Sequence, residues 1–67
     1  MQVADFYLNG RPVGAEFCKQ NFMHSALSQG MPEDEAQSIW DEALNDDWRG
    51  AQARESMMEY GVEIVLH

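Results

Sequence analysis

A chain of 67 residues closes around one small core, which leaves about 3–5 kcal/mol of net stability, so residues 1–67 read as a single domain with no room for a buried catalytic cleft. Twelve Asp and Glu against four Lys and Arg give a net charge of -8, which repels nucleic acid and anionic membrane and attracts basic surfaces. Apolar residues make up 45% of the chain, with two Trp, three Phe and two Tyr, and this argues for a folded core rather than acidic disorder.

A single cysteine, Cys18, excludes an internal disulfide and any thiolate metal cluster. The opening residues show no basic region followed by an apolar run, and no apolar stretch approaches the ~20 residues of a membrane span. The sequence therefore predicts a soluble protein of the cytoplasm, without cofactor or metal.

Residues 3–8, Val-Ala-Asp-Phe-Tyr-Leu, predict a strand whose Ala4, Phe6 and Leu8 face the core, with Val3, Asp5 and Tyr7 opposite. Asn9-Gly10 suits a type I′ turn and returns the chain as a short strand, Arg11-Pro12-Val13. Pro12 has no N–H to donate and belongs at a sheet edge.

From Ala15 to Gln29 the residues Ala15, Cys18, Phe22, Met23, Ala26 and Leu27 recur at helical spacing, and Gly30 supplies the stop. Glu16, Gln20, His24 and Ser28 form the outer side. Phe17 falls there too, so either the helix begins after it or Phe17 is an exposed apolar contact. Pro32 opens a second helix in which Glu33, Asp34 and Glu35 meet the positive end of the dipole. Ala36, Ile39, Trp40, Ala43 and Leu44 form its apolar stripe. Asp46 and Asp47 would turn toward the buried face if the helix ran on, so it ends near Asn45.

Trp48-Arg49-Gly50 starts a third helix reaching about Tyr60, with Ala53, Met57 and Tyr60 inward and Glu55 and Glu59 outward. Gly61 ends it, and Val62-Glu63-Ile64-Val65-Leu66 is a β-branched apolar run with Val62, Ile64 and Leu66 on one face. The economical assembly is an α+β fold: a three-stranded antiparallel sheet, the last strand beside the first, with three short helices covering one face.

Residues 33–47 hold seven of the twelve carboxylates and no basic residue. On a helical wheel Asp34 and Asp41 line one flank of the polar face and Glu35 and Glu42 the other, each pair about 10 Å apart along the axis. Only Asp46 has a basic residue within helical reach, Arg49, so ion pairing within the helix does not account for the density. The dipole explains Glu33, Asp34 and Glu35, whereas Asp41, Glu42, Asp46 and Asp47 lie at the middle and at the unfavourable end. A solvated face that keeps a small protein soluble is the plain explanation. A surface that imitates the spaced charges of a nucleic-acid backbone and occupies a basic channel is the functional one, with Asp34, Glu35, Asp41, Glu42, Asp46, Asp47, Glu55 and Glu59 as candidate contacts.

Other chemistry fits poorly. The EF-hand spacing is missing around the acidic residues. His24 and His67 stand far apart in sequence, with His24 a surface residue. Cys18 reads as a buried, inert thiol. Met23, Met57 and Met58 serve as core filler first and as an adaptable patch second, and Trp48 either caps the core or stands exposed as an anchor. No glycine-rich phosphate loop or nucleophile elbow occurs, and paired carboxylates on a solvated face lack the apolar pocket that acid–base catalysis requires. A non-enzymatic protein is expected.

A short acidic chain with one cysteine, an Asn-Gly hairpin, an acidic middle helix and a closing strand resembles the small anti-CRISPR proteins of phages and mobile elements. It looks most like the kind that mimics DNA against type I surveillance complexes, type I-C among them. The resemblance rests on size, charge and order of elements along the whole chain, without a shared motif. It implies a cytoplasmic inhibitor in a bacterial host whose carboxylates dock on the Lys and Arg lining the DNA path of a Cascade-type effector complex, with no direct contact to nucleic acid or membrane. The alternative is a small interaction module, homodimeric or regulatory, anchored by Phe17, Trp48, Met57 or Met58.

Overall fold

The computed structural model describes residues 3–67. Strand β1 (Ala4–Leu8) turns through Asn9 and Gly10, both at positive φ (52° and 82°), into β2 (Arg11–Val13). These are the angles of a primed two-residue turn, whose twist matches that of the strands it joins. Helices α1 (Ala15–Ser28), α2 (Glu33–Ala43) and α3 (Trp48–Met57) follow, then a 3-10 turn at Met58–Tyr60 and β3 (Val62–Leu66). The sheet is antiparallel in the order β2-β1-β3, so the closing strand lies beside the first and Pro12 sits on an edge strand. This is the expected α+β arrangement.

Register decides which residues meet. Ala4 pairs with Leu66, Phe6 with Ile64 and Leu8 with Val62, and these six residues join the core beneath the sheet. Asp5 opposite Val65 and Tyr7 opposite Glu63 occupy the other face, as period two requires. Trp40 of α2 lies at the centre, its ring 5.7 Å from that of Phe6 and 6.3 Å from that of Phe22. Tyr60 meets Phe22 edge-on at 5.5 Å, the offset and perpendicular geometries that aromatic quadrupoles favour.

Helix α1 contributes Cys18, Phe22 and Ala26, α2 Ala36, Trp40 and Ala43, and α3 Gly50, Ala53 and Met57 to the interior. Two positions of the expected α1 stripe are not covered, since Ala15 is exposed and Leu27 is 42% exposed. Ala15 is the first residue of its helix, where the chain has only just left β2. Leu27 stands about 100° round the axis from Ala26, off the row that packs. Helix α1 does begin before Phe17, which is left 55% exposed. Helix α2 stops at Ala43 with Leu44 as its C-cap, two residues earlier than the stripe suggested. No helix of the described residues is long and apolar enough to cross a membrane.

Candidate functional site

The acidic surface is built on α2 and α3, which are packed against each other through their small residues. Gly50 makes this contact possible. A Cβ placed there would lie 2.0 Å from the carbonyl oxygen of Asn45 and 2.8 Å from that of Glu42. One turn further along, the Arg54 guanidinium donates from a single nitrogen to the carbonyls of Ala43 (2.9 Å) and Asn45 (2.7 Å). The Ala43 carbonyl is one of the orphan acceptors at the end of α2 and that of Asn45 lies just past the Leu44 cap, so a cation sits where the dipole is negative.

This corner corrects part of the expectation drawn from charge placement. Asp47, which had no evident structural use, is the N-cap of α3, and its Oδ1 accepts from the Gly50 N–H at 2.7 Å. Asp41 accepts from the Gln37 side-chain amide at 3.0 Å. Asp34 Oδ1 accepts from the backbone N–H of Glu35, also at 3.0 Å, within the first turn of α2. The end of α2 is therefore compensated from α3, by a residue too distant in sequence for helical spacing to reveal.

The remaining candidates have no such partner. Glu35, Glu42, Asp46, Glu55 and Glu59 are all exposed, and among the described residues the one carboxylate within ion-pair distance of a basic side chain is Asp5, whose Oδ2 lies 2.6 Å from Nε2 of His67 on the far face of the sheet. Arg49 does not reach Asp46. Its guanidinium carbon lies instead 6.0 Å from the Trp48 ring centroid, a cation–π distance. Trp48 itself is 67% exposed, which settles its place at the surface.

Grooves along α3 connect these groups. Glu42 of α2 shares one with Trp48, Gln52 and Ser56. Gln52 and Ser56 open in turn onto Glu55 and Glu59. Five of the eight candidates, Asp34, Glu35, Asp41, Asp46 and Asp47, lie outside these grooves, on the exposed side of α2 or in the corner after it. The structure thus brings Glu42, Glu55 and Glu59 to a common surface with an aromatic ring in it. Asp47 belongs to the corner.

The apolar anchors are dispersed. Met57 is fully buried, so it is core and cannot serve as an anchor. Phe17 lines a groove with Leu8 and Val13, Trp48 one with Ile39, and Met58, 60% exposed, one with Ile64. Cys18 is buried, and burial pushes its thiol above the ordinary value, which suppresses the thiolate that reactivity requires. No group of three or more His, Cys, Asp and Glu among the described residues is placed to hold a metal ion.

Two features were missed by sequence reasoning. The Asp47 cap carried a readable signal, an Asp immediately before a helix start. The Arg54 contacts carried none, because their acceptors are backbone carbonyls nine and eleven residues away. Comparison with protein-family models, with curated proteins and with solved structures found no match.

Proposed function

We propose that this protein is a non-enzymatic inhibitor that presents the acidic surface of α2 and α3 to a basic nucleic-acid-binding site. The supporting observation is the set of exposed, unpaired carboxylates Glu35, Glu42, Asp46, Glu55 and Glu59, three of which share connected grooves with Gln52. A face kept only for solubility has no need to bring like charges together on one side of a helix pair, where their repulsion costs stability. An array of carboxylates takes the place of phosphates on a basic channel and releases the channel's counterions much as a duplex does.

The partner we propose, following the resemblance in size, charge and element order, is a type I CRISPR surveillance complex of the Cascade kind in the bacterial cytoplasm. Occupation of the Lys and Arg that line its DNA path excludes the target duplex, and inhibition is stoichiometric because no bond is made or broken. Trp48, in the groove with Glu42, supplies an aromatic contact inside the acidic field, of the kind enriched at binding hot spots.

The test is competition between this protein and target duplex for a purified type I-C complex. Charge reversals Glu42→Lys, Asp46→Lys, Glu55→Lys and Glu59→Lys should each weaken binding about three- to tenfold, chiefly through the association rate, and the four together should abolish it. Affinity should fall by orders of magnitude between about 50 and about 300 mM salt. Affinity indifferent to salt and to all four reversals would overturn the proposal and favour an apolar interface.

A further inference from the structure

Phe17 stands 55% exposed on α1, and a singly exposed apolar residue needs no explanation. This one forms a wall of a groove whose other walls come from the hairpin, Leu8, Asn9, Arg11, Pro12 and Val13. The register explains how they meet. Arg11 pairs with Leu8 and Val13 with Phe6, and residues paired across a ladder put their side chains on one face. Leu8 and Phe6 belong to the core face, so Arg11 and Val13 are carried on the side of the sheet that the helices cover. Cover runs out there. Leu8 and Val13 are only partly buried and Arg11 is exposed, so the β2 end of the inner face opens to solvent beside the first turn of α1.

Charge sets this groove apart. The grooves lined by α3 each hold at least one carboxylate, and one across β1 holds Asp5. The Phe17 groove holds none, and Glu16, exposed and next to Phe17 in the chain, does not line it. Its one charged side chain is Arg11, and no carboxylate of the described residues lies within ion-pair distance of that guanidinium. Arg54, by contrast, is engaged by the carbonyls after α2, and Arg49 lies by the Trp48 ring. The backbone adds little. In a two-residue hairpin the flanking pair, Leu8 and Arg11, exchange hydrogen bonds, so Pro12 turns outward with a carbonyl and no N–H. Recognition therefore falls to side chains, an apolar one against Phe17, Leu8 and Val13 and a carboxylate on Arg11.

We propose that this groove binds a short segment of a protein partner in which one Asp or Glu adjoins an aromatic residue. The aromatic ring packs on Phe17, a contact worth more than its buried area alone, and the carboxylate meets the Arg11 guanidinium, which suits it bidentately. The net charge of -8 restricts the occupant to a single carboxylate in an otherwise neutral segment, because nucleic acid or an acidic tract is repelled as a whole. A second copy of this chain does not fit. Two copies meeting groove to groove bring Arg11 against Arg11 with no carboxylate between them, and Trp48 offered by another copy carries Arg49 with it toward Arg11. The groove lies on the hairpin and α1, apart from the acidic face of α2 and α3, and the proposal stands independently of the inhibitor reading.

The test titrates the full chain, isotopically labelled, with three short peptides capped at both ends and built of Gly and Ser around a central pair, Asp-Phe, Asn-Phe or Asp-Ala. Salt is held at about 150 mM, which screens the distant carboxylates. The Asp-Phe peptide should bind saturably and shift the amide signals of Leu8, Asn9, Arg11, Val13 and Phe17 more than those of α3. The Asn-Phe and Asp-Ala peptides should each bind at least fivefold more weakly. Phe17→Ser and Arg11→Gln, both at exposed positions that the fold does not depend on, should raise Kd for Asp-Phe at least fivefold. Lys19→Gln, the same loss of charge outside the groove, should leave it within twofold. In Arg11→Gln the preference for Asp-Phe over Asn-Phe should disappear. No saturable binding of Asp-Phe, equal binding of Asn-Phe, equal effects of Arg11→Gln and Lys19→Gln, shifts centred on α3, or the same shifts on raising protein concentration without peptide would each overturn it.

Discussion

Asp47 belongs to the architecture of α3 before it belongs to any binding surface, because its carboxylate satisfies the N–H of Gly50. Asp47→Ala should cost about 1 kcal/mol, read as a fall in Tm of roughly 4–8 °C, while Asp47→Asn, which keeps a capping oxygen, should recover most of it. A loss of partner binding in Asp47→Ala that Asp47→Asn restores is a folding effect and no evidence of charge recognition. Gly50 is constrained more severely. Gly50→Ala drives a methyl into the backbone at Asn45 and Glu42, where neither neighbour can rotate away, and should destabilise by about 3 kcal/mol, the upper part of the range for overpacking. Cys18 gives a pH signature. Its thiol is held above the ordinary value by burial, so the native state retains a proton that the unfolded state loses. The corresponding stability is full below the unfolded thiol's pKa and declines as pH rises through the folded one. Urea titrations from neutral to alkaline pH should show this decline, and Cys18→Ala, though less stable throughout, should show less of it.

At the scale of elements, the joint between α2 and α3 is what the sequence hid. The hairpin and β3 were readable because their residues declare themselves locally, through Asn9-Gly10 at positive φ and through the alternation of Val62, Ile64 and Leu66. The stripe Ala36, Trp40, Ala43 was readable by its helical period. Arg54 was not, since it recognises two carbonyls of another helix rather than any side chain. The candidate site divided along the same line. Its exposed carboxylates could be listed from charge placement alone, but only the packing of α3 on α2 shows that Asp47 has a structural duty and that Glu42 shares a surface with Glu55 and Glu59 through Gln52. Arg54→Ala leaves the carbonyls at the end of α2 without their donor and should cost about 2 kcal/mol, as for a hydrogen bond to a charged group. Arg54→Lys should recover part of this, because one ammonium nitrogen can also donate to both carbonyls, but it does so from a shorter, more flexible stem than the pre-organised guanidinium. Chemical denaturation of the three proteins checks the order.

For the whole molecule, salt separates what the charge does for folding from what it does for binding. A net charge of -8 is confined within a radius of gyration of 10.9 Å, comparable with a Debye length of about 8 Å at physiological ionic strength. The native state therefore bears self-repulsion that the expanded chain relieves, with no Lys or Arg ion pair among the described residues to offset it. Added sodium chloride should raise Tm, with most of the gain between about 10 and about 300 mM as screening becomes effective at these distances. Over the same range a charge-mimicking complex should weaken, because its attraction is screened and its counterion release is less favourable. The two slopes thus have opposite signs in one protein. Reversal of Glu42, Asp46, Glu55 and Glu59 to Lys changes the net charge from -8 to 0, so it should flatten the dependence of Tm on salt as well as abolish binding. If it abolished binding but left the salt dependence of Tm intact, self-repulsion would reside in the other carboxylates, Glu33, Asp34 and Glu35 foremost, and the α2–α3 face would be acidic for its partner alone.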